Sequence, residues 1–345
     1  MAFKDGQKSP FPFSAIVGNE KVKLALILNV IDPTIGGVLL RGPKGTGKSI
    51  AVRALPGILP TIRAISDCPF HCSPNDRTNQ CSSCNSKENP PIEEKHMRIT
   101  TLPLGATEDR LIGSIDIERI IQQGIEAFEP GILAEANQGV LYIDEINLLA
   151  DHLIDDLLDS AASGWNYVER EGVSVSHPAR FVLIGSMNPE EGDLRPQLLD
   201  RLALHVATQT SLTPEKRAEI IKRNLEYSEN PQGYLENWAK EELALLEQIK
   251  KARRSLSQIS VTQASLELIG KLCSKLRMDG YRPDIVLTKA ARAMAAYHEE
   301  DQVRLEHIKA CANLVLTHRT REGGYVDPPS RDDIEEVFKA LEKQG

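Results

Sequence analysis

Gly37-Val38-Leu39-Leu40-Arg41-Gly42-Pro43-Lys44-Gly45-Thr46-Gly47-Lys48-Ser49 decides how this chain of 345 residues reads. A short apolar run enters a glycine-rich turn, and a helical pattern over residues 50–59 leaves it. Such a run fits a strand buried on both faces, as in a parallel sheet. A G-x-x-x-x-G-K-[ST] pattern after a strand and before a helix is the arrangement a phosphate cradle needs. Glycines let successive backbone N–H groups curl around phosphate oxygens, and the helix N-terminus adds partial positive charge. Gly42, Pro43, Lys44, Gly45, Thr46, Gly47, Lys48, Ser49 and Ile50 are therefore candidate nucleotide-binding residues. Lys48 can reach the β- and γ-phosphates, and the Ser49 hydroxyl can ligate Mg2+. A chance glycine turn is the competing reading, and strand, loop and helix together outweigh it.

Outward from this stretch, residues 1–210 alternate short apolar runs with helical patterns, the signature of a parallel sheet covered by helices. Residues 139–143 and 180–185 are two more strand-like runs, and residues 204–207 a fourth. Asp144 and Glu145 follow the second run, so Asp144 would project from the C-terminal end of a strand, where parallel sheets bind ligand. Asp144 suits the shell of a phosphate-bound Mg2+, and Glu145 suits orienting or deprotonating a water. The plainer alternative is that the pair caps a helix starting near Asn147. Asn188 ends the third run; its amide fits a place near the γ-phosphate or, equally, a local turn before Pro189. A cation delivered late stabilises phosphoryl transfer. Arg195, Arg201 and Arg282 are the candidates, each otherwise an ordinary surface arginine.

From about residue 214 the pattern turns helical, over 215–225, 235–256, 262–276, 285–299 and 305–316, with a charged tail helix near 331–343. Thr262 and either Thr288 or Asp284 are expected as helix caps. The fold class expected is α/β: an αβα P-loop sandwich with a parallel sheet over 1–210, a helical linker over 211–260 and an all-helical domain over 261–345. Two stretches interrupt it. Residues 68–94 form a polar excursion outside the core, and residues 165–176 alternate around Glu171-Gly172 as a β-hairpin.

Composition narrows the function. With 41% hydrophobic and 26% charged residues the chain can build a core without metals or disulfides. A net charge of −8 argues against a protein devoted to holding nucleic acid. No apolar run reaches the ~18–20 residues a membrane span needs, and the N-terminal residues lack a leader pattern, so a cytoplasmic location is expected. Four of the six cysteines fall in Cys68-x3-Cys72-x8-Cys81-x2-Cys84. In a reducing compartment such a cluster suggests metal or redox chemistry, though only Cys81/Cys84 has a common zinc spacing. Zn2+ is favoured, with an Fe–S cluster, a thiol/disulfide switch or an incidental cluster as alternatives and His71 as a substitute ligand. Cys273 and Cys311 sit in apolar helical patterns as packing residues.

Taken together, these residues resemble the AAA+ ATPases and, among them, the I subunits of magnesium chelatase, over nearly the whole chain. The carrying stretches are residues 12–18 (Pro-Phe-Ser-Ala-Ile-Val-Gly), 141–149 (Leu-Tyr-Ile-Asp-Glu-Ile-Asn-Leu-Leu) and 188–201, from Asn188 to Arg201. The resemblance implies adenine contacts at Val17 and Gly18, a Walker B pair at Asp144 and Glu145, and sensor 1 at Asn188. It also implies an arginine finger at Arg201, entering a neighbour's site, and sensor 2 at Arg282. Residues 104–129 match a family insertion, residues 167–176 the hairpin before sensor 1, and residues 261–345 become the lid. The implied cofactors are ATP and Mg2+. The implied work is powering insertion of Mg2+ into protoporphyrin IX, in a ring of copies of itself, by AAA+ expectation a hexamer, with D-type and H-type subunits. A cobalt-chelatase motor and a MoxR-like ATPase acting on a von Willebrand-type partner are the alternatives. The four-cysteine loop is not something the family's ATPase mechanism requires.

Overall fold

The computed structural model describes residues 10–115, 128–170, 173–208 and 211–342. Its strands among these residues are β1 (Val38–Arg41), β2 (Thr61–Ile65), β3 (Ile92–His96), β4 (Ile99–Leu102), β5 (Gly113–Ile115) and β6 (Phe128–Pro130). They continue as β7 (Val140–Ile143), β8 (Trp165–Arg170), β9 (Val173–Pro178), β10 (Val182–Met187) and β11 (Leu204–Ala207). The chain divides into two compact units, Met1–Ile58 with Asn188–Gly345, and Leu59–Met187. Of the parallel strands, β1 and β11 lie in the first unit and β4, β7 and β10 in the second.

In the first unit β1 pairs parallel with β11, Val38 opposite Leu204 and Arg41 opposite Ala207. Val38, Leu39 and Leu40 are buried, as a strand covered on both faces requires. Helix Glu20–Ile31 buries Val22 and every residue from Ala25 to Ile31. Asn29 on that helix tolerates burial because its side chain accepts from Gly37 N at 3.0 Å and donates to Ala25 O at 3.1 Å. The helix after the glycine-rich loop spans Lys48–Ala54 and tightens into a 3-10 turn at Leu55–Gly57, shorter than the 50–59 expectation because Pro56 has no N–H to continue it.

The expected helices form as Pro214–Glu229, Pro231–Ser255, Gln263–Lys275, Arg282–Tyr297, Leu305–Leu316 and Arg331–Glu342. Helices Arg282–Tyr297 and Leu305–Leu316 pack together, and buried Ala290, Ala291, Ala293, Ala295 and Ala296 let backbones approach closely. Thr262 caps as expected, accepting from Ser265 N at 3.2 Å. Asp284 and Thr288 do not cap. Their helix begins earlier, at Arg282, with Pro283 in the first turn where no N–H is needed, and the Thr288 hydroxyl donates back to Asp284 O at 2.8 Å.

In the second unit β7 lies between β4 and β10, all parallel, with Val140 opposite Ile99 on one side and Val182 on the other. The sequence did not mark β4, because Ile-Thr-Thr-Leu buries only Leu102 and so lacks a continuous apolar run. β2 and β3 pair antiparallel and enclose residues 66–91, so the 68–94 excursion already contains the start of β3. Nor is that excursion peripheral: Cys68, Cys72, Cys81 and Cys84 are buried against Ile65 and Phe70. The β8–β9 hairpin runs from Trp165 opposite Pro178 to Arg170 opposite Val173, and residues 171–172 at its turn lie outside the described residues. Of the 104–129 insertion, residues 116–127 lie outside them too; the rest gives helix Glu108–Ile112 and an antiparallel β5–β6 pair. A 3-10 turn, Ile146–Leu148, follows β7, and the next α-helix is Asp151–Ser163, so no helix capped by Asp144 and Glu145 starts near Asn147.

Candidate functional site

The glycine-rich loop of the first unit is shaped by two backbone requirements. A Cβ on Gly42 would stand 1.9 Å from Thr208 Oγ1, so only glycine lets Thr208 close over the loop. Gly47, at φ +83°, turns the chain left-handed immediately before the helix, and a Cβ there would be 4.0 Å from its nearest neighbour, Asn19 Nδ2. The rest of the loop is pinned from inside. Thr46 Oγ1 donates to Pro43 O at 2.9 Å and accepts from Thr208 Oγ1 at 3.0 Å, while Asn19 Nδ2 donates to Thr46 O at 2.9 Å. Lys48 Nζ donates to the Gly42 carbonyl and, at 2.9 Å, to that of Pro43, which holds its ammonium inside the loop's curl. Lys44 pairs with Glu191 at 2.6 Å. A curl of backbone amides with a cation at its centre fits a polyphosphate.

From this loop a cavity of about 690 Å3 opens, lined among others by Phe11, Ile16, Val17, Leu212, Ile220 and Tyr227. Gly18 forms a close approach beside it, since a Cβ there would meet Leu212 at 3.3 Å. Phe11 meets Tyr227 edge to face at 5.3 Å. Apolar and aromatic walls at one end and a cationic loop at the other match the two halves of a nucleotide. Val17, Pro43, Lys44, Gly45, Thr46, Gly47 and Ile50 of the expected residues line this cavity. Phe11, Asn19, Leu212, Ile220 and Tyr227 were not expected; the helical spacing of Ile220 and Tyr227 on helix Pro214–Glu229 was the available signal.

Asp144 and Glu145 belong to the second unit, at the C-terminal end of β7. Asp144 Oδ1 accepts from Tyr142 OH at 2.8 Å and from the Ser186 hydroxyl, and Glu145 N donates to Ser186 Oγ at 3.2 Å. Tyr142 and Ser186 are both buried, so the carboxylate is oriented from its own strand and from β10. Neither was expected, although strand periodicity puts Tyr142 on the same side as Asp144, two residues on. Glu145 takes a left-handed conformation at φ +56°, costly for a non-glycine residue and frequent at functional sites.

Three more expected residues lie in the first unit. Asn188 is buried and engaged locally, its Oδ1 accepting from Glu190 N at 3.3 Å, the turn geometry that Asn before Pro favours. Arg201 ends helix Pro196–Arg201, and Arg282 Nη2 donates to its carbonyl at 2.7 Å. Arg319, unforeseen and 1% exposed, holds the same segment. Its Nη1 meets Asp200 Oδ1 at 2.7 Å and its Nη2 the Ala203 carbonyl at 3.2 Å. Burial pulls the guanidinium below its ordinary range, and Asp200 opposes that pull.

The four cysteines of the second unit bring all their Sγ atoms within 4.8 Å of one another. Hydrogen bonds from Cys72 and Cys81 favour the Cys68 thiolate, while burial pushes the Cys84 thiol up to about 12.

The family model for magnesium chelatase, subunit ChlI, matches residues 12–197, and the AAA lid domain model matches residues 266–339. A magnesium-chelatase subunit ChlI from Nostoc sp. is 48% identical over 335 residues, covering 96% of this chain and 90% of that protein. A magnesium-chelatase subunit ChlI homolog from Methanocaldococcus jannaschii is 48% identical over 339 residues, covering 97% and 92%. Among solved structures, a chain from the complex between subunits BchI and BchD of magnesium chelatase matches with a TM-score of 0.53 and 45% identity, over 95% of this chain and 99% of that one.

Proposed function

The chain belongs to the magnesium chelatase subunit ChlI family, and from that premise we propose that it is the ATP-hydrolysing motor that drives insertion of Mg2+ into protoporphyrin IX. Its fold is that of the AAA+ ATPases, an α/β core with a parallel sheet followed by a helical region. The observation that carries the motor reading is the cavity of about 690 Å3 running from the Phe11 side to the glycine-rich loop, with Lys48 held in its curl.

Bound there, Mg-ATP supplies the phosphoanhydride whose hydrolysis drives the motor. Val17, Gly18 and Ile50 take the base end, and the amides of residues 43–49 with Lys48 take the phosphates. Ser49 and Asp144 ligate Mg2+, with Tyr142 and Ser186 holding the Asp144 carboxylate in orientation. Glu145 accepts the proton of the attacking water, and Asn188 orients that water. Arg201 stabilises charge on a neighbouring copy's γ-phosphate, and Arg282 serves as sensor 2. Residues 1–210 thus form the ATPase core, 211–260 a linker and 261–345 the lid.

A finger acting on a neighbour requires a ring, taken as a hexamer. Its further partners are a D-type subunit, by analogy with the BchI–BchD complex, and an H-type subunit carrying the porphyrin. The ring works in the cytoplasm; among the described residues no helix is long and apolar enough to cross a membrane. ATP and Mg2+ are joined as cofactors by a metal in the four-cysteine loop. The test is porphyrin absorbance in a mixture of this chain, H-type and D-type subunits and Mg-ATP, with each protein left out in turn. Mg-porphyrin is expected only when all three are present with hydrolysable ATP. ATP hydrolysis without any insertion of Mg2+ would overturn the chelatase reading and leave an AAA+ motor for another task.

A further inference from the structure

We infer that Cys68, Cys72, Cys81 and Cys84 bind one Zn2+ as a four-thiolate site, and that this ion fastens residues 66–91 to the base of β7 and β10. The inference is independent of the nucleotide reading. Residues 66–91 pose a folding problem that their sequence cannot solve by packing. Prolines and cysteines aside, Phe70 is their one large apolar side chain, so little burial offsets the entropy of ordering so many residues. Yet all four cysteines are buried, at 4%, 0%, 3% and 2% exposure, and they constitute the small core there. A cross-link at their centre supplies what the missing apolar side chains do not.

The dimensions fit one tetrahedral ion, and zinc is the ion the four thiols suit best. Zn–S bonds of about 2.3 Å in a tetrahedron place neighbouring sulfurs about 3.8 Å apart. Cys68 Sγ and Cys81 Sγ stand 3.9 Å apart, and no pair among the four exceeds 4.8 Å. The thiolates of an Fe–S cluster attach to different irons and are held farther apart than four ligands of one ion. Oxygen-seeking ions such as Mg2+ and Ca2+ do not select sulfur. Cys81 N donates to Cys72 Sγ at 3.3 Å, the kind of backbone support a thiolate ligand receives from its surroundings.

The fastening is equally specific. Phe70 and His71 lie between the first two ligands, and their carbonyls are the attachment points. Asn137 Nδ2 donates to Phe70 O at 2.8 Å, and Gln138 Nε2 donates to His71 O at 2.7 Å. The same two residues grip the start of β10: Asn137 Oδ1 accepts from Arg180 N at 3.0 Å, and Gln138 N donates to Arg180 O at 2.7 Å. The Phe70 ring stacks on His177 of β9 at 4.7 Å with an angle of 6°. Metal, knuckle and the N-terminal ends of two parallel strands are thereby linked, at the end of β7 away from Asp144.

The first measurement needs no variant: elemental analysis of the wild-type chain purified without added metal or a metal-binding tag. About one zinc per chain, no acid-labile sulfide and stoichiometric release by an organomercurial are expected. The double variant Cys81→Ser/Cys84→Ser is expected to retain less than about a tenth of that zinc, and Cys273→Ser all of it. Iron in place of zinc, with or without sulfide, a metal-free chain with disulfides seen by intact mass, or four freely titrating thiols without metal would each overturn the zinc site. For the fastening, limited proteolysis within 66–91 is expected to speed up about tenfold on zinc removal. Asn137→Ala/Gln138→Ala is expected to do the same with zinc retained. Cleavage that ignores both changes would overturn the fastening and leave the zinc assignment standing.

Discussion

Lys48 is half-buried and Arg319 buried, and of these two cations only one could be read from the sequence. Lys48 announces itself because its chemistry is local: glycines, helix start and lysine fall within eight consecutive residues. Replacing it with alanine is expected to lower the ATPase kcat by about 10^2–10^3 with the fold intact, as loss of a preorganised charge does elsewhere. A phosphate-release assay beside a circular dichroism spectrum checks this, and unaltered turnover would remove Lys48 from the site. Arg319 meets Asp200 across 119 positions of sequence, a pairing no local pattern encodes. Arg319→Met is expected to cost about 2 kcal/mol in urea unfolding, below the usual range for a broken buried pair because Asp200 keeps 39% of its side chain exposed. An unchanged midpoint would mean that the pair contributes nothing. Tyr142 and Ser186 fall between these cases, since strand period and register place them beside Asp144 once the strands are known.

Among elements, β1, β7, β10 and β11 were legible because each is a short apolar run. β4 was not, since its threonines hide a strand buried only at Leu102. The helices were legible in existence and less so in their starts, as Arg282 shows by preceding both of the expected caps. β11 also carries a pH dependence. Burial, then Arg41 and Arg331, bring its His205 down to about 4, and burial with Arg319 and His205 holds His318 well below the ordinary histidine range. Unfolded, both bind a proton near pH ~6.5. Between about pH 6.5 and 4 the unfolded chain therefore holds more protons, and stability falls as the pH falls, by up to ~1.4 kcal/mol per unit per histidine. Urea midpoints at pH 7.5 and 5.5 should differ in that direction, and His205→Gln should flatten the difference. Equal midpoints in the wild type would contradict the assignment.

At the scale of the whole molecule, the sequence marked an α/β ATPase with a helical second half, because strand and helix periods alternate and then cease to alternate. The role of the 68–94 excursion was less legible, since a core made of cysteines looks like a polar loop until the sulfurs are seen to converge. The ring reading makes a quantitative forecast. Arg201→Ala and Lys48→Ala are each expected to be nearly inactive alone. Mixed in equal amounts, they form a working interface wherever an intact nucleotide loop faces an intact finger, about a quarter of the time for random assembly. Recovery of roughly that share of wild-type ATPase activity supports a finger in trans, and a mixture as inactive as its parts would exclude it.

Helix Pro214–Glu229 buries none of its residues, while Ile220 and Ile221 turn toward the nucleotide cavity, at 39% and 61% exposure. An adenine seated against them would be a further apolar neighbour for this helix, beside the Phe11 and Tyr234 rings that already meet its Tyr227. The nucleotide then becomes a structural component of the element that covers it, and letting go of the product means loosening a helix as well as breaking phosphate contacts. Exchange would be paced by the helix's own propensity to fray, so a single added glycine on its solvent face could quicken the motor without touching one catalytic atom.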